Sequence, residues 1–196
     1  MNRTLAKVGY ALIKTTEDAS YTYDDIIYFK SKEAGGREVS SDPQGEPTVI
    51  DADGIVVYRA EENSGYTHKV QLIDIIDKID TDWLGNKKTT EGGILETNSG
   101  AERPRFALVV AKERLNADTK YEVDIYFDTQ VSKRPARNIK SVVGKFEPEF
   151  IDYELTSVPR TDNKDVRYTM YTDELPTTIP TPVVTEATPA TSEPEG

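Results

Sequence analysis

The sequence predicts a mainly β fold of the α+β kind, with one flanking α-helix. Three observations carry this. Several short runs alternate apolar and polar residues with the period of a strand. Clusters of glycine, proline, asparagine and aspartate separate those runs. Only one stretch, residues 66–85 (YTHKVQLIDIIDKIDTDWLG), carries a strong helical stripe. Val70 and Leu72 alternate with Lys69 and Gln71 as in a half-buried strand. Leu72, Ile76, Ile79 and Trp83 then follow at spacings of four, three and four, which is one face of a helix. Ile75 widens the stripe, Asp74 suits an N-cap and Gly85 a left-handed stop, so the helix is expected over about 74–84. Five large apolar side chains contribute roughly 1.5–3 kcal/mol each on burial. Ordering about a dozen residues costs on the order of 1–2 kcal/mol each. Such a helix must pack on a sheet, and Trp83, the only tryptophan, is the expected core anchor.

The strands follow in order. Residues 5–14 (LAKVGYALIK) are apolar on both faces, and 26–30 (IIYFK) form a short second strand after a polar loop over 17–25. Residues 31–53 are rich in turn formers, with short extended pieces expected near 37–40 and 48–50. So long an insertion is typical of functional or mobile segments. Residues 54–61 (GIVVYRAE) read as a strand, and Asn63-Ser64-Gly65 as a turn leading into the next. After a polar loop over 86–104, residues 105–112 place Phe106, Leu108 and Val110 on one face and Ala107, Val109 and Ala111 on the other. That pattern suits a strand covered on both sides. A hairpin turn at 116–119 leads to 121–128, where Tyr121, Val123, Ile125 and Phe127 are expected inward and Glu122, Asp124, Tyr126 and Asp128 outward. Residues 146–158 and 166–172 hold the last strands, joined as a hairpin by 160–164. Residues 175–196 are mostly proline, threonine, alanine and glutamate, too poor in large apolar side chains to bury. The expected division is a β domain over 1–174 and a disordered tail over 175–196.

The net charge is −11, which opposes binding of a phosphate backbone. The balance is −7 over residues 1–85 (16 acids, 9 bases), −1 over 86–174 (16 acids, 15 bases) and −3 beyond. No apolar run approaches the roughly 20 residues that span a bilayer, and the first ten residues lack a signal-peptide core, so an unexported chain is expected. Without cysteine there are no disulfides or thiolate metal sites. The single histidine, His68, lies beside no nucleophile motif and is expected to be structural or exposed rather than catalytic. Asp74, Asp77 and Asp80 recur at helical spacing, which suits a solvated face. No phosphate loop, EF-hand, GxSxG or HExxH spacing occurs. The residues thus point to no enzyme, metal or cofactor. Residues 131–145 carry Lys133, Arg134, Arg137, Lys140 and Lys145 and no acid. On so acidic a chain, this basic segment suits contact with an acidic patch on a second copy.

Five segments taken together resemble a known family: ADGIVVY at 52–58, GYTHKVQLIDIIDKIDTDWLG at 65–85, RPRFALVVAKER at 103–114, SKRPARN at 132–138 and GKFEPEF at 144–150. Their order is similar to that of the major tail proteins, or tail tube proteins, of long non-contractile-tailed phages and prophages of Gram-positive bacteria. The resemblance implies two packed antiparallel β-sheets closing toward a barrel, with one flanking helix. It implies hexameric rings that stack into a virion tail tube through which DNA passes, with tape measure and tail terminator proteins as further partners and no membrane contact. It also implies a long loop reaching the neighbouring ring, for which Ser31, Asp42, Pro43, Gly45, Pro47 and Asp53 mark the best local candidate. Lys133, Arg134, Arg137 and Lys140 are the expected basic contact between subunits. Glu122, Asp124 and Asp128 are candidates for an acidic lumen, which would repel phosphate and leave DNA free to slide. The alternative reading is a monomeric carbohydrate-binding or adhesin β-sandwich that uses the tyrosines as a platform.

Overall fold

The computed structural model describes residues 3–15, 20–30, 35–45, 47–52, 55–61, 63–73, 77–97, 103–115, 117–136 and 150–183. The fold is mainly β. One large antiparallel sheet holds β1 (Arg3–Thr15), β2 (Tyr21–Tyr23), β3 (Ile27–Tyr28), β4 (Gly36–Gln44), β7 (Gly65–Leu72), β10 (Phe106–Arg114), β11 (Tyr121–Lys133), β12 (Ile151–Ser157) and β13 (Arg167–Thr172). Its order is β2-β1-β10-β11-β12-β7-β4, with β3 also on β1 and β13 also on β11. Two small pairs stand apart: β5 (Pro47–Ala52) with β6 (Ile55–Glu61), and β8 (Lys87–Lys88) with β9 (Ile94–Leu95).

The sheet folds back on itself. Val8 and Tyr10 of β1, Phe106, Leu108 and Val110 of β10, and Tyr126 and Val131 of β11 share one core with Val70 and Leu72 of β7 and Tyr153 and Leu155 of β12. The two ends of the strand order approach each other, since a Cβ on Gly36 of β4 would lie 2.6 Å from Val8 Cγ2. No ladder joins β4 to β1 among the described residues, so the sheet does not close into a barrel. The other face of β1, β10 and β11 forms a second core from Ala11, Ala107, Val109, Ala111, Val123, Ile125 and Phe127. The alternation of β10 therefore sorts its residues between two cores as its sequence indicates. In β1 the register shifts between Leu5 and Lys7, and Leu5 joins Val8, Tyr10 and Leu12 on the first core.

β11 organises the sheet. Its partner β10 shifts register between Phe106 and Leu108, so that Tyr126 and Thr129, three residues apart, oppose Leu108 and Phe106, two apart. The extra residue bends β11 and lets its far edge change partner. Residues 121–126 of β11 pair with β13, and 129–133 with β12. β12 and β13 are thus successive stretches along one edge of β11 rather than the hairpin expected at 160–164. The excursion between them is pinned by Val158 N–H to Asp128 O (2.9 Å) and Phe127 N–H to Val166 O (3.2 Å). Arg160, held by Asp162, stacks over Tyr21, Tyr23 and Phe127.

Among the described residues the helix α1 spans Asp77–Asp82; Asp74, Ile75 and Ile76 of the expected stripe lie outside the described residues. Its end is as expected. Gly85 takes a left-handed φ of 71°, with Gly85 N–H on Thr81 O (3.1 Å) and Asn86 N–H on Asp80 O (3.0 Å). Ile79, Trp83 and Leu84 enter the first core. Tyr10 Oη donates to Asp82 (2.6 Å), tying the helix to β1. Asp77 is exposed, but Asp80 is buried, so these aspartates do not form one solvated edge.

Residues 175–183 depart from the disorder expected after 174. Leu175 and Ile179 pack on the second core. Ile26 N–H bonds Thr177 O (2.8 Å) and Tyr28 Oη bonds Pro176 O (2.9 Å). Three prolines in this strap deny it a regular ladder, and it covers the alanine-rich face in extended form. Residues 184–196 lie outside the described residues.

Candidate assembly arm and buried polar groups

The turn-rich insertion is largely strand. Residues 36–44 form β4, an edge of the main sheet, and the expected extended piece near 48–50 is part of β5. The ladder of β4 on β7 ends at Gln44↔Gly65, and that of β5 on β6 begins at Pro47↔Glu61. One side advances by three residues and the other by four. The two ladders therefore continue each other, and residues 36–72 make one long hairpin with an offset at its middle. The segment 63–65 is not the turn expected; it is the point where the outgoing and returning arms leave the sheet. Gly65 is required there. Its φ is 130°, and a Cβ would lie 2.0 Å from Ser157 O. Asn63 Oδ1 accepts the Gly65 N–H (3.1 Å). Beyond this root β5 and β6 pair with each other alone among the described residues. At about 3.3 Å per residue, the six residues of β5 and seven of β6 span roughly 20 Å. Of the expected loop residues, Asp42 and Pro43 are exposed on β4, Gly45 (φ 138°) sits at the root and Pro47 opens β5; Ser31 and Asp53 lie outside the described residues.

The three acids expected to face outward do not. Glu122, Asp124 and Asp128 are each under 5% exposed. β11 is central and covered on both faces, so its charged positions needed partners within the chain. Lys112 of β10 bonds both Glu122 (3.2 Å) and Asp124, and Thr169 of β13 bonds Asp124 as well. Burial works against the Lys112 ammonium, but its bonds to Asp124 and Glu122 prevail and raise its pKa. Asp128 accepts from both arms of the Arg105 guanidinium and from Tyr21 Oη (2.7 Å). The hydrogen bond to Asp128 raises Arg105 above its ordinary value against the cost of burial. Alternation alone could not show this. The clue was that β10, beside these acids, is apolar on both faces.

The basic segment divides. Lys133 is exposed beside Glu154 (3.5 Å). Arg134 turns inward to Glu96 (3.1 Å), Asn86 Oδ1 (3.1 Å) and Leu84 O (3.4 Å), and so braces the C-terminal end of the helix. Arg137 and Lys140 lie outside the described residues.

His68 is structural rather than exposed, and its surroundings are more specific than its sequence shows. It is 1% exposed in β7. Its Nδ1 meets Ser41 Oγ of β4 (2.8 Å) and its Nε2 meets Ser157 Oγ of β12 (2.7 Å), which bonds Thr129 Oγ1 of β11 (2.6 Å). One imidazole thus links four strands at the root of the arm. Tyr126 abuts the ring edge-on at 4.3 Å and Tyr66 stacks at 6.1 Å. Burial pushes the imidazole down to about 4. Ser41, Ser157 and Thr129 could not be paired with His68 from sequence, since they lie 27 to 89 residues from it or from one another.

No group of three or more histidine, cysteine or acidic side chains among the described residues has the arrangement of a metal site, and no described helix is long and apolar enough to cross a membrane. Neither a scan against protein-family models nor a comparison with curated proteins gives a match.

Proposed function

We propose that this chain is a self-assembling structural subunit: a tail tube protein of a long-tailed phage, closing into rings that stack to form a conduit for DNA. One observation carries the reading. The hairpin over 36–72 is built into the main sheet at its base, and among the described residues it pairs only with itself beyond that base. An arm whose strands form no ladder with the rest of their own body among the described residues keeps backbone edges open to a partner. A neighbouring copy is the natural source of the missing contacts. The outer edges of β4 and β13, which have no ladder partner among the described residues, support the same reading, since a second copy can pair with them. The five family-like segments lend support from the sequence side. On this reading the folded-back sheet is the ring-forming wall, the helix braces it, and Lys133 and its basic neighbours meet acidic surface on an adjacent copy. The acids that line the conduit must be sought elsewhere than Glu122, Asp124 and Asp128, which face cations within the chain. The carbohydrate-binding alternative has less support, because Tyr10, Tyr21, Tyr66, Tyr126 and Tyr153 are buried.

Replacing residues 46–62 by a two-residue turn tests the role assigned to the arm. The shortened chain is expected to keep the circular-dichroism spectrum of a β protein and to lose assembly in sedimentation velocity. Assembly at the wild-type level in the shortened chain would refute that role.

A further inference from the structure

We propose that His68 is a proton-sensitive pin at the root of the arm: when its ring takes up a proton, β4 parts from β7 and the arm is released. The inference rests on the geometry of the fold and holds whether or not the chain forms a tail tube.

The imidazole is sealed between strands and bonded at both nitrogens by hydroxyls, with no carboxylate in contact. In the neutral ring one nitrogen donates and the other accepts, and serine hydroxyls serve either role. A second proton requires both nitrogens to donate. Ser41 and Ser157 can accept both bonds, so no hydrogen bond need break. What is missing is a counter-charge. From β13, Arg167 lies over Tyr66 (5.3 Å) and bonds the Tyr126 hydroxyl, placing a cation on the same side as the ring. From β11, Tyr126 is neutral, and Asp124 is already engaged by Lys112 and Thr169. Neighbouring Lys69 on β7 is exposed and pairs with Asp152 (3.2 Å). Glu154 on β12 is exposed and pairs with Lys133. On β4, Glu38 and Asp42 are exposed. Among the described residues, a protonated ring therefore meets one cation and no free anion in a buried site.

The strain has one cheap exit. β12 and β11 are flanked by strands on both sides, whereas β4 is an edge strand whose one ladder among the described residues is with β7; beyond it β4 meets β1 at Gly36 and Val8 and bonds Tyr126 through Ser41. Most of its side chains are exposed or half-buried, and Ser41 is half-buried. Parting β4 from β7 admits water to Nδ1 and hydrates the charge. Because β4 runs directly into β5, the same step frees the base of the arm. The opening is local, of the kind that edge elements undergo without global unfolding.

The chain has a single histidine, so its ring gives one set of imidazole resonances. The test is NMR of the full-length protein between pH 7 and pH 4, following that ring together with amide protection corrected for intrinsic exchange, in wild type and in His68→Gln. The expected result is that proton uptake by the ring coincides with at least a tenfold loss of protection in β4, while β10 and β11 keep theirs. In His68→Gln, β4 protection should change less than twofold over the same range. Should that variant fail to fold, the wild-type comparison of ring, β4 and β10 still decides. The proposal is overturned if the ring takes up its proton with β4 still protected, or if β4 and β10 open in parallel. It is equally overturned if β4 opens in the glutamine variant as in wild type, or if the ring stays neutral and β4 protected down to pH 4.

Discussion

At Trp83 four other aromatic rings converge: Phe106 stacks at 4.8 Å, and Tyr153, Phe29 and Tyr10 approach edge-on at 5.4, 5.5 and 5.8 Å. The indole is fully buried where the short helix, β1, β10 and β12 meet. Trp83→Ala is therefore expected to cost about 3–5 kcal/mol in a urea melt. Its anchoring role was legible in the sequence, because a lone tryptophan closing an apolar stripe has few other uses. The role of Asp128 was not legible. Its partner Arg105 lies 23 residues away on the other side of a hairpin, and a strand alternation assigns Asp128 to solvent. Arg105→Ala strands a buried carboxylate, and a loss of about 2–3 kcal/mol is expected in the same melt, partial exposure of the arginine holding the figure down. His68 sets the pH dependence. Its pKa falls from 6.5 to about 4 on folding, so the unfolded chain binds the extra proton across that window. Its contribution is complete above pH 6.5 and is lost as pH falls toward 4. Between pH 7 and pH 5 the wild type should lose about 2 kcal/mol relative to His68→Gln. Parallel curves for the two proteins would contradict the burial of a neutral ring.

Among the elements, β10 and β11 were readable because two-sided apolar alternation has one common meaning, a covered central strand. The β4–β7 hairpin was readable only in pieces. Its extended segments carry strand residues, but glycine, proline, serine and aspartate make up eleven of the twenty residues over 35–54, and nothing local says that the outgoing and returning strands stay paired across the break at Gly65. The short β2, with Tyr21 and Tyr23, was hidden in a polar stretch; its tyrosines serve Asp128 and the backbone O of Phe127. Composition failed at the C-terminal strap, since two apolar side chains suffice when the face beneath them is built of alanine and valine. Truncation after Val183 is expected to leave the melt unchanged. Truncation after Glu174 removes Leu175 and Ile179 and uncovers that face, at roughly 2–4 kcal/mol. Equal stability of the two truncations would show that the strap is dispensable. Gly65→Ala is expected to lower the melting temperature sharply, because its Cβ meets backbone rather than a side chain that can turn away.

For the whole molecule, the sheet folds back to enclose its own core, and among the described residues the β5–β6 arm and the outer edges of β4 and β13 have no further ladder partner. That combination is poor economy for a chain that acts alone and good construction for one completed by copies of itself. On the proposed reading, the net charge of −11 would keep DNA from sticking to the wall of the tube. Electron microscopy of the purified full-length chain, with light scattering across a concentration series, tests this most directly. Rings of subunits, and tubes formed by their stacking, are expected. A chain that stays monomeric at every concentration and binds a glycan through its exposed surface would contradict it.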